Sequence, residues 1–575
     1  MKHLTVIFIV AALSVACSDK PVLKEISFET ICNPLNLSYR FQPDEPSRRE
    51  AADPSVIRFK DRYFLFASKS GGYWHSGDLI TWEYIETDEI PTEEYAPTAI
   101  AIDDTLYFLA SSREKSTIYK SADPLSGKWE IAVESLDVPV WDPAFFLDDD
   151  KSLYLYWGCS NTDPLYGVEI DYRDNFSFMG QLTEPIFANP DRYGWEVPGD
   201  YNTMKETSPW IEGPWMNKYH GEYYLQYAGP GTEFKSYSDG VYVSDNPLGP
   251  YDISPHNPVA YRPEGFAAGA GHGSTFMDEF GNYWHIGTIT ISIKHMFERR
   301  LGLFPAFFDQ DGILYSVTKF GDYPLIVPQK KIENFEDIFP GWMLLSCRKK
   351  VTVSSSIDSH PPENMVDEDI RTYWAAASGN AQEWASIDMG DQYDVHAVQV
   401  NFGEHEAEVY SRKPGLSHQY TIAYSEDNVN WEILVDKSEN RSDNSHDYIQ
   451  LLEKVKCRYL KINNKKVPGG HFALSGFRVF GKGDGKLPSQ VKDLTVSRNP
   501  EDRRSIKLTW TGNGNATGYN ICYGTAKNRL YHTYQVYYDI SLVINSLDAN
   551  QPYYFSIESF NENGVTGGGP VVAAE

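Results

Sequence analysis

Five segments between Ala52 and Trp284 share one pattern of apolar and polar positions. Each begins with a polar or turn-forming cue, continues as an apolar strand-like run, turns at an acidic or glycine-containing stretch, and ends in an aromatic strand. The cue lies roughly ten to twelve positions before the aromatic strand, the spacing of one β-hairpin. The segments begin at Ala52, Tyr95, Trp141, Glu212 and His272.

Repetition at this period predicts small sheets stacked around an axis, as in a β-propeller. In that architecture the first strand of each blade lines the axis, so the starts of these strands meet at one end of the channel. The residues leading the five strands are Asp53, the group Tyr95-Ala96-Pro97, Asp142, Glu212 and His272. The pattern therefore predicts three carboxylates and one histidine at a single pocket.

Glu212 lies between two tryptophans, Trp210 and Trp215, and is followed by a Gly-Pro turn. A carboxyl group among aromatic rings suits a general acid that works near neutral pH. A solvent-facing glutamate at a strand-to-turn junction is the alternative, and the register with the other acids favours the first interpretation.

At this point the segment from about Asn33 to Pro328 resembles glycoside hydrolase family 43, the five-bladed propellers that remove arabinose, xylose or galactose from plant polysaccharides. The phrases that carry the resemblance are Ala52-Asp53-Pro54, Trp141-Asp142-Pro143, Glu212-Gly213-Pro214 and Gly271-His272-Gly273.

The resemblance implies Asp53 as general base, Asp142 as the acid that tunes and orients, and Glu212 as general acid. It also implies that His272 holds a water or a metal ion on the axis. Members of the family often have tryptophan where Tyr95 stands, so this sugar contact departs from the family pattern.

Further substrate contacts are predicted beside the acids. Trp74 either stacks on a sugar at the pocket rim or packs between blades, and Trp210 flanks the predicted acid. Arg299, in the basic cluster from Lys294 to Arg300, either binds sugar hydroxyls or belongs to a solvated or salt-bridged strand, and the second interpretation is favoured. A metal at His272 is calcium-like, although hard cations prefer oxygen ligands.

Two further domains follow the propeller. About residues 341–481 resemble the discoidin, or F5/8 type C, β-sandwich through phrases such as Val366-Asp367-Glu368-Asp369 and Arg458-Tyr459-Leu460-Lys461-Ile462. The resemblance implies a structural calcium near Asp367 and Asp369, with a solvated acidic turn as the alternative. Residues 489–575 resemble a fibronectin type III sandwich. The predicted fold is all-β: a five-bladed propeller over residues 18–335 followed by two β-sandwich domains.

The N-terminus has a basic start and an apolar run from Leu4 to Val15 that is too short to span a bilayer. The small residue Ala16 before Cys17 resembles the lipobox of bacterial lipoproteins. Residues 1–17 are therefore predicted to be a signal peptide, with Cys17 lipidated in the mature protein. An exported cell-envelope lipoprotein, held at the membrane only by this anchor, is expected.

Composition adds two limits. The net charge of −29 argues against nucleic acid partners and against binding to anionic lipid. Beyond Cys17, the five remaining cysteines are scattered singly, which gives neither a disulfide framework nor zinc-site spacing.

The converging acids and the resemblance predict an exo-acting, inverting glycoside hydrolase whose substrate is a polysaccharide or oligosaccharide. An α-L-arabinofuranosidase is the first choice, with β-xylosidase or exo-galactosidase as alternatives. A non-catalytic carbohydrate-binding lipoprotein is a second class. A retaining hydrolase of fructosides is disfavoured because Ala52, not asparagine, precedes Asp53. The chemistry is expected to need no cofactor, and structural calcium is the one ion considered.

Overall fold

The computed structural model describes residues 28–410, 412, 415–512 and 514–574. The predicted signal peptide and Cys17 lie outside these residues. Helical structure in the described part is confined to four short 3₁₀ segments, Pro124–Ser126, Gly194–Glu196, Phe335–Asp337 and Pro362–Met365. None of the described helices has the length and apolar character to cross a membrane.

Residues 52–316 form five antiparallel sheets whose first strands contact one another in a closed ring. Each sheet has four consecutive strands, and the short strand Cys159–Ser160 adds to the inner edge of the fourth. This arrangement confirms the predicted five-bladed propeller. Blade one contains Ala52–Phe59, Arg62–Ser68, Gly72–Ser76 and Glu83–Glu86; blade two Thr98–Ile102, Thr105–Leu109, Ile118–Ser121 and Glu130–Val133; blade three Ala144–Leu147, Leu153–Trp157, Leu165–Asp171 and Ser177–Ile186; blade four Ile211–Tyr219, Glu222–Gly229, Ser238–Ser244 and Asp252–Ile253; blade five Gly271–Met277, Tyr283–Thr290, Arg299–Phe308 and Leu314–Ser316.

The segments before and after the ring are tied together beside blade five. Strand Thr30–Ile31 pairs with Leu325–Ile326. The Asn33 amide donates to the carbonyl of Leu303 at 2.9 Å. Entry and exit of the chain are therefore fixed to one blade.

The turn that opens each blade has the same unusual backbone. Asp53, Ala96, Asp142, Gly213 and His272 all have positive φ, between 44° and 56°. For residues other than glycine this conformation costs about 1–2 kcal/mol each. The strain recurs where the blades meet at the axis, and it sets the direction of the side chains that face the channel.

The second domain is an eight-stranded β-sandwich. Its interior is filled by fully buried apolar side chains that include Trp374, Ile387, Val398 and Phe477. This confirms the predicted discoidin-type fold. The strands are Met343–Leu344, Lys350–Val353, Trp374–Ala375, Trp384–Phe402, Gln419–Ser425, Glu432–Asp436, His446–Lys466 and Ala473–Lys482.

The third domain consists of two sheets that share one core around Trp510, Tyr519 and Phe555. Its membership of the fibronectin type III class stays a prediction. The first sheet contains Thr495–Arg498, Ile506–Thr509 and Ser541–Ile544, and the second Gly518–Gly524, His532–Tyr537, Tyr553–Asn561, Gly564–Thr566 and Val572–Ala574.

Buried polar contacts join the three domains. Arg478 of the β-sandwich pairs with Glu368 and reaches the propeller at the Asp322 carbonyl, with 1% of its side chain exposed. Tyr261 of the propeller shares a hydrogen bond of 2.9 Å with Tyr534 of the third domain. Partnerless buried charges are costly, so these contacts resist separation of the domains.

Candidate active site

The starts of the five blades surround one cavity of about 510 Å³. Asp53, Asp142 and Glu212 lie on its inner surface, each less than a tenth exposed. The structure thus brings together the three predicted carboxylates. The other lining residues are Tyr95, Arg113, Trp141, Cys159, Trp210, Gly231, Thr232, Glu233, His272, Met296, Phe297 and Arg299.

Asp53 is surrounded by donors. Arg299 Nη1 lies 3.1 Å from its Oδ1, and Ser68 Oγ donates to its Oδ2 at 2.6 Å. Arg299 is in turn held by Glu50, whose Oε1 lies 2.9 Å from Nη2. Burial opposes ionisation, but Arg299, His272 and Ser68 outweigh it and keep the pKa of Asp53 below its usual value. Asp53 is therefore the carboxylate that stays ionised.

Asp142 and Glu212 form a second, different environment. One oxygen of each and Cys159 Sγ all lie within 4.8 Å of one another. Burial raises the pKa of Asp142, and the charges of Glu212 and Asp53 add to that effect against the opposing charge of His272. Two buried carboxyls this close cannot both ionise readily, so the pair retains a proton.

His272 stands between the acids. Its Nδ1 lies 3.5 Å from Asp53 Oδ1 and 3.8 Å from Asp142 Oδ2. Burial disfavours the imidazolium, but Asp53, Asp142 and Glu212 together raise the pKa of His272. The ring supplies positive charge between the carboxylates and gives only one nitrogen toward a hard cation that takes about six to eight oxygens. A metal at His272 therefore stays a prediction.

A second repeated position supports the three acids. Ser68, Ser111 and Cys159 each follow the last aromatic or aliphatic residues of the second strand, in blades one, two and three. Ser111 Oγ donates to Asp142 Oδ1 at 3.1 Å, and Cys159 Sγ donates to Glu212 Oε2 at 3.1 Å. With Ser68 on Asp53, one side chain from each of three successive blades fixes one acid.

Two predicted substrate contacts differ from the structure: Trp74 lies away from the cavity, and Arg299 lines it but binds other residues. Trp74 is fully buried, and its Nε1 donates to Ser38 Oγ at 3.2 Å. Its ring packs against Tyr39, which precedes the first blade, and against Tyr84 of its own blade. Trp74 is therefore a packing residue, held within its blade rather than between two blades, and no sugar reaches it. Arg299 lines the cavity, but its donors go to Asp53, Glu50 and Thr232 Oγ1. The salt-bridged alternative describes Arg299, and its partners are the carboxylates of Asp53 and Glu50.

The aromatic walls match part of the prediction. Trp210 lines the cavity with 44% of its surface exposed. Tyr95 also lines the cavity, with its ring centroid 5.5 Å from that of Phe297. Trp215 points elsewhere, because its Nε1 donates to the Thr275 carbonyl of blade five at 2.9 Å. Of the two tryptophans that flank Glu212 in the sequence, Trp210 lines the cavity and Trp215 does not.

The acidic turn of the β-sandwich has partners of its own. Asp367 Oδ2 accepts from Thr372 Oγ1 at 2.6 Å, and Asp369 Oδ2 lies 3.2 Å from Lys235 Nζ of the propeller. A metal ion needs several ligand side chains close together. Among the described residues, such a group of three is formed by Asp142, Cys159 and Glu212, and none is found at this turn. Calcium at Asp367 and Asp369 stays a prediction.

The strand register shows why Glu212 precedes a glycine. Ala52, Glu212 and Gly271 occupy the same position before the bulge of their blades, so Gly213 is the equivalent of Asp53 and His272. A Cβ on Gly213 would lie 2.5 Å from His272 Cδ2. Glycine thus lets the His272 ring pack against the backbone beside the acid.

Gly213→Ala is expected to destabilise the fold by about 3 kcal/mol, because it adds both a clash with the His272 ring and positive-φ strain. Chemical denaturation measures the change. Gly221→Ala is the matched control, since Gly221 also has positive φ but its Cβ would meet no atom within 4 Å. The control is expected to lower the free energy of unfolding by about 1 kcal/mol. If Gly213→Ala lowers it by no more than that, the packing argument is contradicted.

Sequence reasoning missed several residues of the cavity. Glu233 and Thr232 come from the loop Gly231–Tyr237, and Tyr237 donates a short hydrogen bond to Glu212. Phe297 and Arg113 complete the wall. The loop carries no motif, whereas Ser68 and Ser111 had a signal in their common place after the second strand.

Comparison with known families agrees with this geometry. Residues 47–314 match the model of glycosyl hydrolases family 43. Residues 350–476 match the F5/8 type C domain. The first match covers all five blade starts, and the second covers the acidic turn and most strands of the β-sandwich.

Three relatives illustrate the range of similarity. The chain is 26% identical over 268 residues to xylan 1,3-beta-xylosidase of a Vibrio species, covering 40% of this chain and 46% of the relative. It is 25% identical over 268 residues to beta-D-galactofuranosidase xynD of Aspergillus niger, covering 40% of this chain and 72% of the relative. It is 24% identical over 293 residues to non-reducing end alpha-L-arabinofuranosidase BoGH43B of Bacteroides ovatus, covering 45% of this chain and 50% of the relative.

These alignments span about half the length of the first and third relatives. The chain therefore contains a family 43 glycosyl hydrolase domain in residues 47–314, followed by an F5/8 type C domain in residues 350–476.

Proposed function

We propose that this protein is an inverting, exo-acting glycoside hydrolase that removes terminal sugars from plant-type polysaccharides or oligosaccharides. The observation that carries the proposal is the convergence of Asp53, Asp142 and Glu212 from three blades in one buried cavity. The environments of the two aspartates differ, since Arg299 keeps the pKa of Asp53 low while burial and the charge of Glu212 raise the pKa of Asp142. Carboxyls whose environments differ in this way are the pattern of a base and an acid.

In the proposed reaction, Glu212 protonates the oxygen of the leaving group as the glycosidic bond breaks. Asp53 takes a proton from a water molecule that attacks the opposite face of the sugar. Asp142 keeps the proton available to Glu212, and His272 balances the charge between the acids. Inversion needs room for this water, with base and acid roughly 6.5–9.5 Å apart. Side chains supply both proton transfers, so the proposed chemistry needs no cofactor.

The cavity is large enough for a terminal sugar. Its volume of about 510 Å³ is that of a small-molecule pocket. Trp141 and Trp210 are 38% and 44% exposed at its wall and offer ring faces to the apolar side of a sugar. Exo cleavage would place the glycosidic oxygen of a terminal residue at Glu212, beside these indoles.

An α-L-arabinofuranosidase is the preferred activity. One of the three relatives is named for an arabinofuranoside, one for a galactofuranoside and one for a xyloside, which is the range of activities that the proposal covers. β-Xylosidase and exo-galactosidase are the alternatives within the same mechanism. Export to the cell envelope, with a lipid anchor on Cys17, belongs to the same proposal and would place the enzyme where polysaccharide fragments arrive.

A panel of nitrophenyl glycosides tests the activity, with α-L-arabinofuranoside, β-D-xyloside and galactosides as members. We expect the arabinofuranoside to be hydrolysed with the highest kcat/KM. Proton NMR of the first-formed sugar is expected to show the anomer opposite to that of the substrate. First formation of the retained anomer, or a folded protein inactive on the whole panel, would contradict the proposal.

A further inference from the structure

The β-sandwich contacts one loop of the active site, residues 231–237. Arg371 of the β-sandwich places Nη1 2.7 Å from Asp200 Oδ2 and donates from Nη2 to the Glu233 carbonyl at 3.1 Å. The neighbouring Asp369 pairs with Lys235 at 3.2 Å. Lys235 N also donates to Asp200 Oδ1 at 2.9 Å. A single turn of the second domain thus contacts both the loop 231–237 and Asp200, which lies in the connection between strands Ser177–Ile186 and Ile211–Tyr219.

Three side chains of the loop 231–237 lie at the cavity or contact its carboxylates. Thr232 Oγ1 accepts from Arg299 Nη1 at 3.0 Å, which helps to aim Arg299 at Asp53. Glu233 lines the cavity, and Tyr237 donates to Glu212. Both the base and the acid therefore depend on where this loop lies.

We infer that the β-sandwich is a working part of the catalytic unit, in which Arg371 and Asp369 are positioning residues that hold the loop 231–237 against the substrate cavity. The inference rests on the proposed hydrolase function. It gives the acidic turn, considered above as a calcium site, a role in docking the propeller. A fork-shaped guanidinium suits the task because it reaches a carboxylate and a carbonyl from two segments at once.

A second set of contacts supports the same wall from behind. Strand alternation points Arg299 into the active site and Arg300 toward the β-sandwich, where its Nε lies 2.9 Å from His446 Nε2. Arg49, beside Glu50, pairs with Glu404 at 2.6 Å and with Asp443 at 2.8 Å. These residues are almost fully buried, so the β-sandwich is not a freely tethered module.

The test is Arg371→Ala in the full chain, assayed on the best nitrophenyl glycoside. We expect kcat/KM to fall about tenfold, mainly through KM, because the loop that lines the cavity loses its anchor. The acidic limb of the kcat/KM profile is expected to move to higher pH, since a less constrained Arg299 lowers the pKa of Asp53 less. The groups that surround Asp53 and remain in the variant are Arg299, His272, Asp142, Glu50, Tyr95 and Tyr237.

The matched control is Arg529→Ala. Arg529 also joins two domains, with Nε 2.8 Å from Asp309 Oδ2 of the propeller, and its side chain is 18% exposed like that of Arg371. It lines no part of the cavity. We expect it to lower the unfolding midpoint without moving KM or the acidic limb.

Charge reversal of the neighbouring pair gives an independent check. Asp369→Lys alone is expected to raise KM. Adding Lys235→Asp is expected to restore KM in part, because the ion pair is re-formed with opposite signs while the hydrogen bond from Arg371 N to Asp369 Oδ1 stays lost. Unchanged KM and pH profile in Arg371→Ala, or effects equal to those of Arg529→Ala, would overturn the inference. An inactive wild-type protein would instead overturn the proposed function.

Discussion

Glu212→Gln is expected to slow hydrolysis of substrates with poor leaving groups by about 10³-fold. The amide keeps the shape and the hydrogen bond from Tyr237 but cannot give a proton to the departing oxygen. An activated aryl glycoside leaves without that proton, so its kcat is expected to fall by less than about tenfold. Steady-state rates on a dinitrophenyl glycoside and on an unactivated disaccharide measure the difference.

The ratio of the two losses carries the test, because misfolding lowers both rates together. Asn217→Ala is a suitable control, since Asn217 lies further along the same strand and faces Thr275 of blade five. This variant is expected to lower both rates alike or neither. If Glu212→Gln also slows the two substrates equally, Glu212 is not the acid.

Much of the propeller followed from the sequence because each blade is a local object. A hairpin with apolar alternation and a turn in its middle needs few distant residues, so five copies could be recognised one at a time. Closure then forces the five starts together, and Asp53, Asp142 and Glu212 meet at the axis for that reason.

Residues that depend on distant partners could not be predicted in the same way. Glu50 and Arg299 lie 249 positions apart, and no local pattern connects them. Trp74 could not be assigned for a different reason. An indole that packs inside a blade and one that faces a sugar are equally apolar, so only the fold shows which role a tryptophan has. The link between Asp369 and Lys235 joins two domains and has no signal in either.

Asp53→Asn is expected to lower kcat/KM by about 10³-fold on good and poor leaving groups alike. The attacking water needs a base whatever group departs, so the selective pattern expected for Glu212→Gln should be absent. Comparing the two variants on the same two substrates separates the roles. A preserved rate on the activated substrate would exclude Asp53 as the base.

The pH profile of the wild-type activity tests the direction in which the pKa of Asp53 is shifted. Asp53 acts as base only when ionised, and Arg299 holds its pKa below the usual value. Activity should therefore persist on the acidic side until pH falls through this lowered pKa, and the acidic limb should disappear in Asp53→Asn. Arg299→Lys keeps the positive charge, but a lysine ammonium cannot pair with Asp53 and Glu50 at the same time as the planar guanidinium does. The acidic limb should then move to higher pH, because a weaker partner lets the proton return to Asp53 earlier; a limb that stays in place would show that the Arg299 contact does not set the ionisation of the base.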